Sequence, residues 1–386
     1  MSSYIITHQL KTTKFLRMMR MPLINELKTS LNAFLGWDKR RIDCLAKILV
    51  ALIMVQTTNL KKIACALLSA NSSTESNYRR LQRFFSGFRM DYNAVARLIA
   101  HLFKLTIGQH YLLLDRTNWQ WGKSNINVLF LCVAYKKIAI PIFWLVLNKK
   151  GNSSTRERAA LVQRFIKVFG KAPIAGILGD REFIGKKWFQ YLKNEEIRFI
   201  FRIKKDADTS NANGKSISVH WLFMQLPLRE MLIVKGKRKI YGHQLYVVGM
   251  RIDDDYLIVV TNESPIDAIE VYGIRWEIET LFGCLKTKGF NFEDTHIVHR
   301  DRIKRLIVVL ALAFCWSHLT GEWRHQHEKV IRFKKHGRPQ NNFFRYGLDW
   351  LLAALLQRGQ KLRKLSMVFK EIIGNKLQKP PGGLAA

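Results

Sequence analysis

Residues 111–147 read YLLLDRTNWQWGKSNINVLFLCVAYKKIAIPIFWLVL, and their period decides the fold class. Tyr111–Leu114, Asn127–Tyr135 and Ile138–Leu147 are apolar runs rich in branched and aromatic residues, separated by short polar turns, so three successive strands are predicted. The stretch Gly151-Asn152-Ser153-Ser154-Thr155 then caps a helix predicted to reach about Phe169. A short buried strand, Ile174–Leu178, and a helix over about Gly185–Asn194 follow. Three strands, a helix, a strand and a helix make a mixed α/β core. Asp115 is read as closing the first strand, and Asp180 as following the fourth after Ile177-Leu178-Gly179. At the strand ends of such a sheet, side chains leave the packed layer and meet ligands.

Upstream, residues 1–105 read as helical. Leu45–Val55 is a buried apolar run, Lys61–Leu68 is amphipathic, and Thr74–Phe85 repeats apolar positions among arginines. With the turn Asn71-Ser72-Ser73-Thr74 between them, the last two resemble a helix-turn-helix that carries Tyr78, Arg79, Arg80 and Arg83 on its second helix. Downstream, residues 197–262 read as β-rich, with strands over Arg198–Ile203, Met231–Val234, Gln244–Arg251 and Tyr256–Thr261, and with Asp253-Asp254-Asp255 as a hairpin turn. That segment delays the next helix and reads as an insertion in the core. A long helix over about Pro265–Lys288 follows, helices continue to about Gly374, and the tail Pro380-Pro381-Gly382-Gly383 is expected to fray.

The chain has 386 residues, 48% of them hydrophobic, so it can bury a sizeable core. Its net charge of +35 calls for a polyanionic partner. Residues 251–300 run the other way, with 5 basic and 10 acidic residues, so a basic frame surrounds a locally acidic patch. That pattern suits cation-assisted work on nucleic acid. Five scattered cysteines without a C-x-x-C pair support neither a disulfide framework nor a thiolate zinc site, and fit a reducing cytoplasm. The longest apolar run, Leu306–Trp316, is 11 residues, against the ~20 needed to cross a bilayer, so no membrane span is expected. The scattered Lys11, Lys14, Arg17 and Arg20 precede no long apolar stretch, so a secretory signal is not expected either. His325-x-His327 beside Glu328 lacks a second ligand pair and is read as solvated. Gly122-Lys123-Ser124 lacks the upstream glycine of a phosphate-binding loop.

On the predicted long helix, Tyr272, Arg275, Glu279 and Lys286 stand at offsets of 0, 3, 7 and 14. At ~100° per residue they project into an arc of about 60° that borders the apolar stripe of Ile274, Ile278, Leu281, Phe282 and Leu285. A carboxylate between two cations and a phenol at the margin of a buried face can point into a site. Read alone, Glu279 with Arg275 is an ordinary helix ion pair.

Together these elements resemble the DDE transposases of bacterial insertion sequences, specifically insertion-sequence family four, whose signature is Tyr-x2-Arg-x3-Glu-x6-Lys. Tyr272, Arg275, Glu279 and Lys286 keep that spacing. Leu114-Asp115-Arg116-Thr117-Asn118-Trp119 and Gly179-Asp180-Arg181-Glu182-Phe183-Ile184-Gly185 look like the first and second acidic motifs. The resemblance covers about residues 106–300. It implies an α/β chain with a ribonuclease-H-like core and a β-rich insertion, flanked by helical N- and C-terminal regions. Residues 1–105 would be the DNA-binding region, 106–196 and 263–320 the two parts of the catalytic core, 197–262 the insertion, and 321–386 a helical basic C-terminal region.

By the same resemblance Asp115, Asp180 and Glu279 would be catalytic and would hold two Mg²⁺, with Mn²⁺ as substitute. Tyr272, Arg275 and Lys286 would contact DNA phosphates, Trp276 would stack on a flipped base, and Arg79 and Arg83 would join the DNA contact. Trp221 is a weaker match to a stacking Trp of the insertion, and Trp119 and Trp121 read as core or cleft walls. The implied activity is metal-dependent cleavage and strand transfer of double-stranded DNA at terminal inverted repeats and at target DNA. It would proceed by cut-and-paste through a hairpin end, in a homodimer, in the bacterial cytoplasm and on the nucleoid when bound. The alternatives are a non-catalytic end-binding relative and a metal-dependent nuclease or resolvase sharing the core.

Overall fold

In the computed structural model, residues 20–67, 72–211, 213–253, 255–335, 337–357 and 360–374 are described. Lys11, Lys14, Arg17, Leu68, Asn71, Asp254 and the Pro380–Gly383 tail lie outside them. The chain divides into two units, Lys104–Phe282 and a second made of Met1–Phe103 with Gly283–Ala386.

Four of the N-terminal helices start where a short polar side chain takes an orphan backbone N–H. Helix α1 covers residues 20–35. The Asp38 carboxylate accepts from Arg40 N at 2.9 Å to start α2 (Lys39–Val55), whose stretch from Leu45 to Ile53 is almost wholly buried. Asn59 caps α3 (Leu60–Ala66), and Ser73 caps α4 (Thr74–Gly87), as its place in the turn predicts. Asn77 Nδ2 donates to Ala64 O at 3.3 Å and ties α4 to α3. Helix α5 (Tyr92–Phe103) closes this segment.

In the other unit, β1 (His110–Trp121), β2 (Ser124–Tyr135) and β3 (Ile138–Leu147) form an antiparallel meander. Helix α6 (Thr155–Phe169) starts at a reciprocal capping box of Ser154 and Glu157. It leads to β4 (Ile174–Gly179), which lies parallel to β1, and then to α7 (Lys186–Asn194). Asp115 does not close its strand. The β1–β2 hairpin pairs onward from Asp115↔Phe130 to Trp121↔Ser124, because a tight Gly122-Lys123 turn lets both strands run to their tips. What ends beside Asp115 is the parallel neighbour, whose last pair is Leu114↔Gly179. A Cβ on Gly179 would lie 2.7 Å from the buried Phe201 ring and 3.1 Å from Phe183 Cβ, so only glycine fits just before Asp180.

The β-rich segment supplies β5 (Phe199–Arg202), β6 (Asp208–Ser210), β7 (Ser216–Ser218), a 3₁₀ turn at Val219–Phe223, β8 (Met231–Ile233), β9 (Arg238–Ile240), β10 (His243–Ile252) and β11 (Asp255–Thr261). Its strands mostly extend the central sheet, whose order is β3-β2-β1-β4-β5-β11-β10-β8, with β9 on β10. β5 runs parallel to β4 and satisfies the edge that β4 would otherwise expose. Among the described strands, β6 and β7 alone pair apart from this sheet.

The predicted helix over Pro265–Lys288 is two helices, α8 (Ala268–Gly273) and α9 (Trp276–Leu285). At their joint the bonds run from i to i+3: Ile274 N to Val271 O, Arg275 N to Tyr272 O, Glu277 N to Ile274 O and Ile278 N to Arg275 O, all within 3.2 Å. Such a turn has ~3.0 residues and eclipses side chains three apart, which sets Arg275 in line with Tyr272. Lys286 falls beyond the last residue of α9, so the single 60° arc does not hold for it.

Helices α10 (Arg300–His327), α11 (Phe343–Leu356) and α12 (Gln360–Phe369), with a π turn at Lys370–Gly374, complete the unit that holds the N-terminal helices. The described residues between α10 and α11 are not helical. α10 is long and apolar enough to cross a membrane, yet 89% of its apolar window is buried within the protein, the position of a core helix. It crosses α11 closely: a Cβ on Gly347 would lie 1.9 Å from Ser317 O, and one on Gly321 would lie 1.8 Å from Phe343 O.

Candidate active site

The register of the parallel strands places the chemistry. Leu114 pairs with Gly179 and Gly179 with Phe201, so the next residues along β1, β4 and β5 are Asp115, Asp180 and Arg202, side by side at the carboxyl edge. Neighbouring strands lie ~4.8 Å apart, so Asp115 and Asp180 leave the sheet from adjacent backbone positions. Each turns one oxygen back to the following backbone: Asp115 Oδ1 accepts from Arg116 N and Asp180 Oδ1 from Arg181 N, both at 2.6 Å. The second oxygen of Asp115 accepts from Arg275 Nη1 at 3.2 Å, and the same Nη1 lies 3.5 Å from Glu279 Oε1. Arg275 therefore links the first carboxylate to the third, with only 8% of its side chain exposed.

Burial pushes the Asp115 carboxyl up to about 7; the Arg116 N–H and Arg275 work against that rise, while Glu279 and Glu182 add to it. Loss of solvent is thus the largest cause of the rise, and the neighbouring cation only partly offsets it. Tyr272 is buried too, and loss of solvent pushes its phenol up to about 12, with Arg275 opposing and Asp180 reinforcing the shift. The Arg275 guanidinium lies 5.9 Å from the Tyr272 ring centre and 5.7 Å from that of Trp276. Trp276 itself is 67% exposed.

Two contacts hold the elements that carry these groups. Glu277 accepts from Tyr135 N at 2.8 Å and from Lys137 N at 2.9 Å. It thereby pins α9 to the β2–β3 turn, where Lys136 and Lys137 both have positive φ and each costs ~1 kcal/mol or more. Arg198 pairs with Asp267 and fixes the start of α8 against β5.

A third contact joins the two acidic motifs. Arg116 Nε donates to Glu182 Oε1 at 3.1 Å and Nη2 to Oε2 at 3.0 Å, while Nη1 reaches Asn127 Oδ1 at 3.1 Å. Asn127 Nδ2 in turn donates to Lys149 O and Gly151 O. A two-pronged, largely buried pair one residue beyond Asp115 and two beyond Asp180 fixes their spacing where the strand pairing has stopped. Arg116→Ala is expected to cost about 3 kcal/mol, because it leaves Glu182 without its counter-charge, and Arg116→Lys to recover only part of it. Urea unfolding checks this; a midpoint equal to that of the unaltered chain excludes the staple.

The remaining sequence-read residues lie elsewhere. Lys286 pairs with Glu293 at 2.7 Å in the other unit. Arg79 is engaged with Glu75 at 3.1 Å, both exposed. Arg80 and Arg83 line a groove with Lys39, Arg40 and Arg41, while Tyr78 faces a separate one with Asn59, His296 and Arg302. Trp221 is 58% exposed on its 3₁₀ turn, Trp119 is buried and Trp121 is partly exposed. Sequence reading missed a cationic pocket of Arg181, Arg202, Lys204 and Lys205 beside Tyr256, in which Arg202 is paired with Asp255 at 3.2 Å. Its signal was present in the basic residues that follow the fourth and fifth strands, but their adjacency needs the parallel register.

The donor set of Asp115, Asp180 and Glu279 is all carboxylate oxygen, the chemistry of hard divalent cations. Among the described residues no three of His, Cys, Asp and Glu are grouped closely enough to hold an ion together. Arg275 supplies the positive charge between Asp115 and Glu279.

Fold and site together define an α/β protein with an acidic site at the carboxyl edge of its sheet. The chain belongs to the transposase DDE domain family, whose model matches residues 110–316. Members of that family are nucleotidyl-transfer enzymes that cleave DNA in transposition and DNA recombination, and they generally use divalent metals. A cryo-EM structure of the piggyBac transposase synaptic complex with hairpin DNA aligns at 13% identity over 94% of this chain and 84% of that one, with a TM-score of 0.42, too low a likeness to bear on the site. No curated protein matches the chain.

Proposed function

We propose that the chain is a cut-and-paste DNA transposase of the insertion-sequence family four type, acting on the terminal inverted repeats of its own element. The observation that carries this reading is the register that sets Asp115 beside Asp180, with Glu279 joined to Asp115 through Arg275. The order β3-β2-β1-β4-β5, antiparallel and then parallel, supports a ribonuclease-H-like core over 106–196 and 263–320. The segment 197–262 would be its insertion, with β5 taken into the core sheet.

Asp115, Asp180 and Glu279 would hold Mg²⁺, or Mn²⁺ in its place. Bound there, such ions would supply the Lewis acidity for an in-line displacement at phosphorus by a water or a 3′-hydroxyl. The chain's own residues supply the rest. Tyr272 and Arg275 grip phosphate beside the acids, and Arg181, Arg202, Lys204 and Lys205 carry the strand past the carboxyl edge. Lys286 contacts backbone, Trp276 offers an exposed ring for an unstacked base, and Arg79 and Arg83 belong to the N-terminal contact with duplex DNA. A homodimer pairs the two ends, and cleavage passes through a hairpin.

The test uses the DNA that flanks the reading frame. With Mg²⁺, the purified chain is expected to cut duplexes bearing the short inverted repeats found there and to join them to a second duplex. Cutting without any joined product identifies a nuclease and rejects a transposase.

A further inference from the structure

Between α10 and α11 the chain builds a small ribbon. Phe333 bridges Pro339, Lys334 N donates to Arg338 O at 2.8 Å, Gln340 N to Arg332 O at 2.8 Å and Gly337 N to Lys334 O at 2.9 Å. Gly337 supplies the positive φ of the turn, and His336 lies outside the described residues. A two-stranded ribbon this short is not stable alone. Its base is pinned: Ile331 is buried and donates its N–H to His325 Nδ1 at 3.0 Å, Tyr346 Oη donates to Lys329 O at 2.8 Å, and Lys329 N to Arg324 O at 2.9 Å.

The pinned ribbon is strongly cationic. No acid occurs between Glu328 and Asp349, while Lys329, Arg332, Lys334, Lys335, Arg338 and Arg345 do. Glu328 is already taken by Arg324 at 3.0 Å and Lys364 at 2.6 Å. Arg332, Lys334, Lys335 and Arg338 are all exposed, and so is Phe333, at 68%. An exposed aromatic ring among cations suits a polyanion that offers apolar base edges.

We propose that this ribbon is a DNA contact that enters the major groove of a duplex, with Lys334, Lys335 and Arg338 on the phosphates and Phe333 against base edges. The major groove, about 12 Å wide, admits a two-stranded ribbon, and its thymine methyls accept an aromatic side chain. Phosphate contacts give affinity and position, and the ring gives what the charges cannot. The inference rests on the reading that the chain acts on DNA, and names a surface that this reading does not require.

The test measures binding of the full chain to a short labelled duplex of mixed sequence between about 50 and 200 mM salt. Replacing Lys334, Lys335 and Arg338 together by alanine is expected to lower the slope of log affinity against log salt by about 2–3, near 0.9 for each phosphate no longer neutralised. Phe333→Ala is expected to leave the slope unchanged and to weaken binding about five- to tenfold, the worth of one apolar side chain against a base edge. Unchanged melting temperatures show that both variants fold. Wild-type slope and affinity in both variants overturn the ribbon as a DNA contact. A loss seen only on phosphatidylserine vesicles assigns it to a membrane surface, and an equal loss on the isolated single strand excludes groove entry. If the unaltered chain binds no duplex, the transposase reading fails first and this inference with it.

Discussion

Asp115→Ala, Asp180→Ala and Glu279→Ala are each expected to abolish strand cleavage while duplex binding stays within a few-fold of wild type. The three carboxylates come from β1, from the residue after β4, and from α9. In the proposed reading the three act as a unit on one phosphate, and groups that act as a unit fail together: removing any one should cost at least ~10³-fold in cleavage rate. Binding is spared because the net charge of +35 is carried outside the acidic stretch 251–300. Asp115→Asn refines the test, since it keeps shape and burial and removes only the charge. Supercoiled plasmid or repeat-bearing duplex with Mg²⁺ reports cleavage, and a gel shift reports binding. Normal cutting by any one variant removes that residue from the set.

The strand period was legible because nearly every inward position of 111–147 is apolar, and β3 matches its predicted limits, Ile138–Leu147. The extent of β1 was not legible. Arg116, Thr117 and Asn118 interrupt the apolar run, but hairpin pairing with β2 carries polar residues as well as apolar ones. The helix break at Ile274–Arg275 was hidden for a related reason. No proline marks it, and the tightening shows only in bonds running from i to i+3.

Local spacing found Arg275 with Glu279, which are four residues apart. It could not find Arg275 with Asp115, which are 160 residues apart, or Arg202 beside Asp180, because both depend on which strands become neighbours. The basic ribbon at 329–341 was hidden inside a segment read as helical. Its Gly337 and Pro339 were the signals, since a positive φ and a missing N–H both disfavour a continued helix.

Arg275→Ala is expected to destabilise the metal-free protein and to make it unusually responsive to divalent cations. In the unaltered chain the guanidinium contacts Asp115 at 3.2 Å and Glu279 at 3.5 Å and screens the two acids from each other. Removing it strands the buried Asp115. Breaking a buried pair costs ~3–5 kcal/mol; because Glu279 is 42% exposed, the lower end applies, a fall in melting temperature of roughly 6–12 °C for a unit of this size. A divalent cation can then replace the lost charge, so Mg²⁺ or Mn²⁺ should return more than half of that loss, a larger gain than in the unaltered chain, where Arg275 competes for Asp115 and Glu279. Arg275→Lys should fall between, because an ammonium keeps the charge but not the planar guanidinium that lies beside the Tyr272 and Trp276 rings. On DNA, Arg275→Ala should accumulate nicked intermediate, since hairpin closure crowds phosphates that nicking leaves apart. Calorimetric melts with chelator and with Mg²⁺ decide the first part: an unchanged metal-free melting temperature, or equal metal gains in both proteins, rejects Arg275 as the resident counter-ion. A denaturing gel decides the second, where parallel decline of nicking and closure rejects the clamp.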